Sequence, residues 1–159
     1  MSQTSTSPAE KFDTSRASEY ARQSRIALAG YDACHDLAAC MLAASLGSRP
    51  ANILVVGAGG TAQEIIAMAA LEPQWHFTAV DPSVPMLETA TAQLQANDLL
   101  HRTQVHLGHV EDLPAAASFD AATLIGVLHH LNGDEPKHQI LQSIQARLKP
   151  GAPLIVAGN

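Results

Sequence analysis

The stretch Ile53–Glu64, ILVVGAGGTAQE, constrains the fold more tightly than any other part of the chain. Four consecutive apolar residues, Ile53 to Val56, show no polar alternation. That is the pattern of a strand buried on both faces of a parallel sheet. Gly57, Gly59 and Gly60 follow at once. They permit a tight turn that brings bare backbone N–H groups close to a ligand. Thr61 and Glu64 then fit a capping box, in which hydroxyl and carboxylate each satisfy a free N–H at a helix start. Strand, glycine turn and helix start together make a nucleotide cradle. A glycine turn without a ligand has the same local pattern, so the flanking segments must decide.

With 159 residues, 47% apolar and 15% charged, the chain suits one soluble globular domain with a real core. No apolar run is long enough to span a bilayer. The opening residues MSQTSTSP have neither a basic start nor an apolar stretch, unlike a signal peptide. A formal charge of −6 argues against a nucleic-acid surface, and acidic neighbours dilute the group Arg16, Arg22 and Arg25. Cys34 and Cys40, six residues apart on one expected helix, project from different parts of its surface and should not pair. A reducing, cytoplasmic setting is the default expectation, and neither cysteine has a metal-ligand partner at useful spacing.

Three regions follow from composition. Residues 1–14 are Ser/Thr-rich and read as a flexible tail. Residues 15–50 read as a helical cap, with an apolar stripe at Ile26, Ala29, Ala33, Leu37, Cys40 or Met41, and Ala44, and a break at Gly30. Residues 51–159 alternate strand and helix. The expected strands are Ile53–Val56, His76–Val80, Gln104–Leu107, Phe119–Ile125 and Leu154–Ala157. The expected helices are Thr61–Leu71, Val84 to about Asn97 after the cap Ser83, and Glu135–Leu148 after the cap Asp134. This order predicts a Rossmann-like, doubly wound α/β fold with a five-stranded parallel sheet. Ligands of such sheets lie over the carboxyl ends of the strands, where strand order reverses. The candidate site is therefore Gly57–Gly60, Asp81, Gly108–Asp112 and Gly126–His130. Asp81 ends the second strand, 24 residues after Gly57, and its carboxylate suits both hydroxyls of a ribose.

In order along the chain, VVGAGG, AVDPSVPMLETA, GHVEDLP, FDAATLIGVLHHL and LKPGAPLIVAG resemble the class I S-adenosylmethionine-dependent methyltransferases. The resemblance runs from Ile53 to the end. It implies S-adenosylmethionine as cofactor and methyl transfer to an acceptor, for which a small molecule is the expectation by elimination. It implies cofactor contacts from Gly57, Ala58, Gly59, Asp81, Pro82, Met86, His109, Val110, Glu111 and Gly126. Tyr20 becomes a candidate contact from a helical lid. His129 and His130 match an HH pair that shapes the cleft, and either imidazole suits a general base. His35, His76, His101, His106 and His138 read as surface or strand residues.

The chain departs from the family pattern at three places. Val55 stands where an acid is common, Thr61 replaces the third glycine, and His109 replaces the aspartate that accepts the adenine amino group. A neutral imidazole accepts one hydrogen bond, and Glu111 and Asp112 either substitute or favour a short helix start. Family members also continue through a further helix and two strands. The last strand is thus expected as an apolar edge, suited to homo-oligomer contact or to cover by a missing segment. Two alternatives accompany this reading. An NAD-binding oxidoreductase half-domain fits GAGGTA and Asp81, and a non-catalytic methyltransferase-like binding domain fits the departures.

Overall fold

The computed structural model describes residue 19, residues 22–26 and residues 30–158. Five strands form one sheet: β1 (Ala51–Val56), β2 (Trp75–Asp81), β3 (Thr103–Leu107), β4 (Ala121–Ile125) and β5 (Leu154–Ala157). Their order is β3-β2-β1-β4-β5, and every pairing is parallel. Four helices accompany them: α1 (Tyr31–Leu46), α2 (Gln63–Leu71), α3 (Val84–Ala96) and α4 (Asp134–Gln145).

The sheet explains why β1 lacks polar alternation. Ile53 and Val55 enter one apolar cluster with Leu42 of α1, Ile65 of α2 and Leu94 of α3. Leu54 and Val56 enter another with Val80, Leu124 and Ile144 of α4. A central strand covered on both sides requires apolar residues at odd and even positions. Trp75, fully buried, closes the end of the sheet away from the carboxyl termini, where its Nε1–H donates to the Arg49 carbonyl at 3.2 Å. β1 lies between β2 and β4, so sequential order reverses beside it. The crevice at the carboxyl ends of β1 and β4 is the expected ligand position.

Several sequence expectations shift. β4 begins at Ala121, and Phe119 makes only an isolated bridge to Leu148. Gly133, not Asp134, precedes α4 as its cap residue. α1 begins after Gly30, as the break predicted, but it buries the opposite face. His35, Ala38, Ala39, Leu42 and Leu46 point inward, while Leu37 and Met41 are 61% and 51% exposed. Two stripes were available on this alanine-rich helix. The inward one is lined by small alanines, which let α1 lie close against α2. His35 is consequently a core residue, its Nδ1 within 2.8 Å of the Tyr31 carbonyl oxygen. Cys34 and Cys40 are unpaired, as expected. No helix among the described residues is long and apolar enough to cross a membrane.

The reversed face gives a direct test. Leu42→Ala should destabilise the fold by ~2–5 kcal/mol in urea unfolding, whereas Leu37→Ala should stay within about 0.5 kcal/mol of wild type. Equal losses at both positions would contradict this packing of α1.

Candidate functional site

The turn after β1 is fastened to its neighbours through its own backbone. The Gly57 N–H donates to the Val80 carbonyl at 2.8 Å, and the Ala58 N–H to the same oxygen at 3.2 Å. The Gly59 N–H donates to Asp81 Oδ2 at 3.0 Å, and the Gly60 N–H to the Met86 carbonyl at 2.9 Å. The donors expected to be bare are therefore engaged within the protein. Two of the motif's three glycines are held by close approach: a Cβ on Gly57 would overlap Val127, and one on Gly59 would lie 2.5 Å from Met86 Cβ and 2.7 Å from Asp81 Oδ2.

The expected capping box does not form. The turn carries on to Ala62, which adopts a left-handed conformation at φ 51, and α2 starts at Gln63. Thr61 Oγ1 instead accepts the Gln63 N–H at 3.3 Å and lies 3.1 Å from the Tyr31 hydroxyl. This later start places Glu64 in the first turn of α2 with its side chain buried, at 7% exposure. Burial pushes its carboxyl up to about 8, and the adjacent Thr123 pulls it part of the way back. Even so, Glu64 Oε1 and Thr123 Oγ1 each lack a hydrogen-bond partner among the described residues.

Asp81 is the hinge of the site. It ends β2 with 8% exposure. Oδ1 accepts the Ser83 N–H at 2.9 Å, and Oδ2 accepts Gly59. Burial raises this carboxyl, while the two N–H donors and nearby His109 oppose the rise. Two fixed donors leave further lone pairs of the carboxylate for a ligand.

A cavity of about 340 Å³ opens beside it at the carboxyl ends of the strands. Gly57, Asp81, Pro82, Met86, His109, Val110, Glu111, Gly126 and His130 all line it, which gathers most of the predicted residues in one place. Ala58 is buried behind the loop, and Gly59 acts through its bond to Asp81. His129 is exposed and off the lining, its ring centroid 4.0 Å from that of His130. Tyr20 lies outside the described residues. Glu111 and Asp112 do start a short helical turn, Val110–Asp112, and Asp112 Oδ2 accepts the His109 N–H at 2.7 Å.

Sequence reading missed the far wall, which is Leu131 with Pro136, Gln139 and Ile140 of α4. Leu131 ends the motif FDAATLIGVLHHL, one residue past the expected site, and no motif marks Pro136, Gln139 or Ile140. It also missed Arg147, whose Nη2 donates to the Glu111 and Leu113 carbonyls at 2.9 and 2.8 Å. That 9% exposed guanidinium ties the segment after α4 to the loop under the cavity. No group of three or more metal-ligating side chains occurs among the described residues.

A Rossmann-like parallel sheet in 3-2-1-4-5 order, with an acid closing β2 and a cavity at the reversal of strand order, is an arrangement of the class I methyltransferase type. The family model described as a methyltransferase domain matches residues 54–154, so the chain belongs to that family. No curated protein matches it significantly. A candidate S-adenosyl-L-methionine-dependent methyltransferase from Methanococcus maripaludis superposes with TM-score 0.74 at 19% identity, over 100% of this chain and 68% of that one. Mitomycin 7-O-methyltransferase MmcR gives TM-score 0.68 at 22% identity, over 93% of this chain and 43% of its own. A candidate O-methyltransferase from Nostoc punctiforme gives TM-score 0.66 at 23% identity, over 77% of this chain and 35% of that one. The chain thus spans from about a third to about two thirds of the length of these neighbours.

Two outcomes test the site's framework. Arg147→Met leaves the Glu111 and Leu113 carbonyls without their charged donor, and should cost ~2–4 kcal/mol in urea unfolding. Glu64, with a folded-state pKa above its unfolded value, contributes stability that is present at low pH and lost as pH rises through about 8. Wild-type stability should therefore fall from mildly acidic to alkaline pH by on the order of a few kcal/mol, and Glu64→Gln should flatten that slope.

Proposed function

We propose that this domain binds S-adenosylmethionine and transfers its methyl group to a small-molecule acceptor. The observation that carries the reading is the glycine loop's internal hydrogen bonding. A dinucleotide needs free loop N–H groups for its pyrophosphate. Here the N–H groups of Gly57, Ala58, Gly59 and Gly60 are held by Val80, Asp81 and Met86. A ligand with a nucleoside and no phosphate asks nothing of those donors. This argues for a sulfonium nucleoside over NAD.

The residues suit such a ligand. Asp81, buried and already oriented by two N–H donors, offers its remaining lone pairs to ribose hydroxyls. Met86 and Val110, both nearly fully buried, provide apolar walls for a base. When bound, the cofactor supplies an electrophilic methyl group on sulfur. The chain's part is to orient the two reactants and exclude water, effects worth up to ~7–11 kcal/mol in well-aligned systems. His130 faces the cavity, so it is a better base for the acceptor's proton than the exposed His129. A small acceptor agrees with the acidic net charge of −6 and with the mitomycin O-methyltransferase among the structural neighbours.

Calorimetric titration is the test. S-Adenosylhomocysteine should bind and NAD should not. Asp81→Ala should weaken S-adenosylhomocysteine by ~10–100-fold, the loss of one or two hydrogen bonds to a charged acceptor. A preference for NAD, or no response to Asp81→Ala, would overturn the reading.

A further inference from the structure

Beneath the glycine loop, on the sheet face covered by α1 and α2, lies a polar pair that the cavity lining does not include. Glu64 comes from the first turn of α2 and Thr123 from the middle of β4. Thr123 is 0% exposed, in register with Val55 on β1 and Ile155 on β5. Both side chains are more than nine-tenths buried, and Glu64 Oε1 and Thr123 Oγ1 have no hydrogen-bond partner among the described residues. Proteins rarely tolerate such a pair without cause. Its place in the fold supplies one. From Thr123, β4 runs only three residues, about 10 Å of strand, to Gly126 at the cavity wall. From Glu64, α2 leads back through Ala62 to the glycine turn.

Among the described residues, burial and Thr123 set the state of this carboxyl, and no cation contributes. Cys34 of α1 is the titratable group that faces it, and burial first, then Glu64, raises that thiol. His35 of α1 has Nδ1 beside the Tyr31 carbonyl oxygen, 2.8 Å away. β1 and β4 present Val55 and Thr123. Thr123 and the N-terminal end of α2 favour the carboxylate in part, and a positively charged ligand at the β1–β4 mouth would favour it further.

We propose that Glu64 is the internal counter-charge for that ligand, and that it makes the protein distinguish the sulfonium of S-adenosylmethionine from the neutral sulfur of S-adenosylhomocysteine. This rests on the cofactor reading above. When the sulfonium arrives, the Glu64 O–H bond breaks, its electron pair stays on the carboxylate and the proton leaves to solvent. When the neutral thioether replaces it, the proton returns. One charge about 10 Å away in a medium of intermediate dielectric shifts a carboxyl by about one pH unit.

The test is the dissociation constant of both ligands, measured by calorimetry from about pH 6 to about pH 9 on wild type and Glu64→Gln. In wild type, the S-adenosylhomocysteine to S-adenosylmethionine ratio should rise with pH by ~5–10-fold. In Glu64→Gln it should stay flat, and the comparison cancels titration of the ligands' own amino groups. A readout on wild type alone covers a variant that fails to fold. Near neutral pH, the S-adenosylmethionine binding enthalpy should depend on buffer ionisation more steeply than that of S-adenosylhomocysteine. Parallel pH profiles in wild type and variant, or equal proton release with both ligands, would overturn the Glu64 assignment while leaving the cofactor reading intact. Failure of both ligands to bind would overturn the two together.

Discussion

The Asp81 carboxylate, shared between the Gly59 and Ser83 N–H groups at 3.0 and 2.9 Å, is the constraint on which the site depends. It joins three things that sequence keeps apart: the turn after β1, the end of β2 and the entry to α3. Gly60 adds a third bond, between the turn and α3, by donating to the Met86 carbonyl at 2.9 Å. A carboxylate used this way is already desolvated and oriented, so a sugar that approaches it needs little rearrangement of the protein. The same bonds engage the N–H groups of Gly59 and Gly60 within the protein. One carboxylate thus fixes the loop, and in the proposed reading it also receives the ribose.

Much of this was legible in the sequence because the signals were local. The apolar run Ile53–Val56 marked a doubly covered strand, and the two clusters around Ile53 and Leu54 bear that out. Alternation of strand and helix implied the parallel sheet, and the rule that ligands sit at carboxyl ends pointed to Asp81, Val110, Gly126 and His130, which line one cavity. What was not legible depended on tertiary choices. α1 offers two apolar stripes, and periodicity alone cannot say which one meets α2. The start of α2 turned on Ala62 at φ 51, a conformation no residue preference would place on alanine. That shift of two residues converted Glu64 from an expected cap into a buried acid. Arg147 meets the loop under the cavity, and α4 its wall, only through the crossover after β4, which leaves no mark at short range.

The departures from the family pattern take on a spatial meaning. Val55 stands where an acid is common, and its register partner Thr123 lies next to the buried Glu64 carboxyl. The sheet face under the glycine turn therefore carries an acid after all, delivered from α2 instead of β1. Thr61 in place of a third glycine is accommodated because the positive φ values fall on Gly60 and Ala62. His109 lines the cavity with its backbone N–H fixed by Asp112 at 2.7 Å, so its loop keeps its shape without an aspartate at that position.

A crystal structure with S-adenosylhomocysteine tests the central claim most directly. The account predicts ribose hydroxyls on Asp81 while Gly59 and Ser83 keep their bonds to the same carboxylate. A ligand seated away from Asp81, or a glycine turn that releases Asp81 and Val80 to point its N–H groups at the ligand, would contradict it.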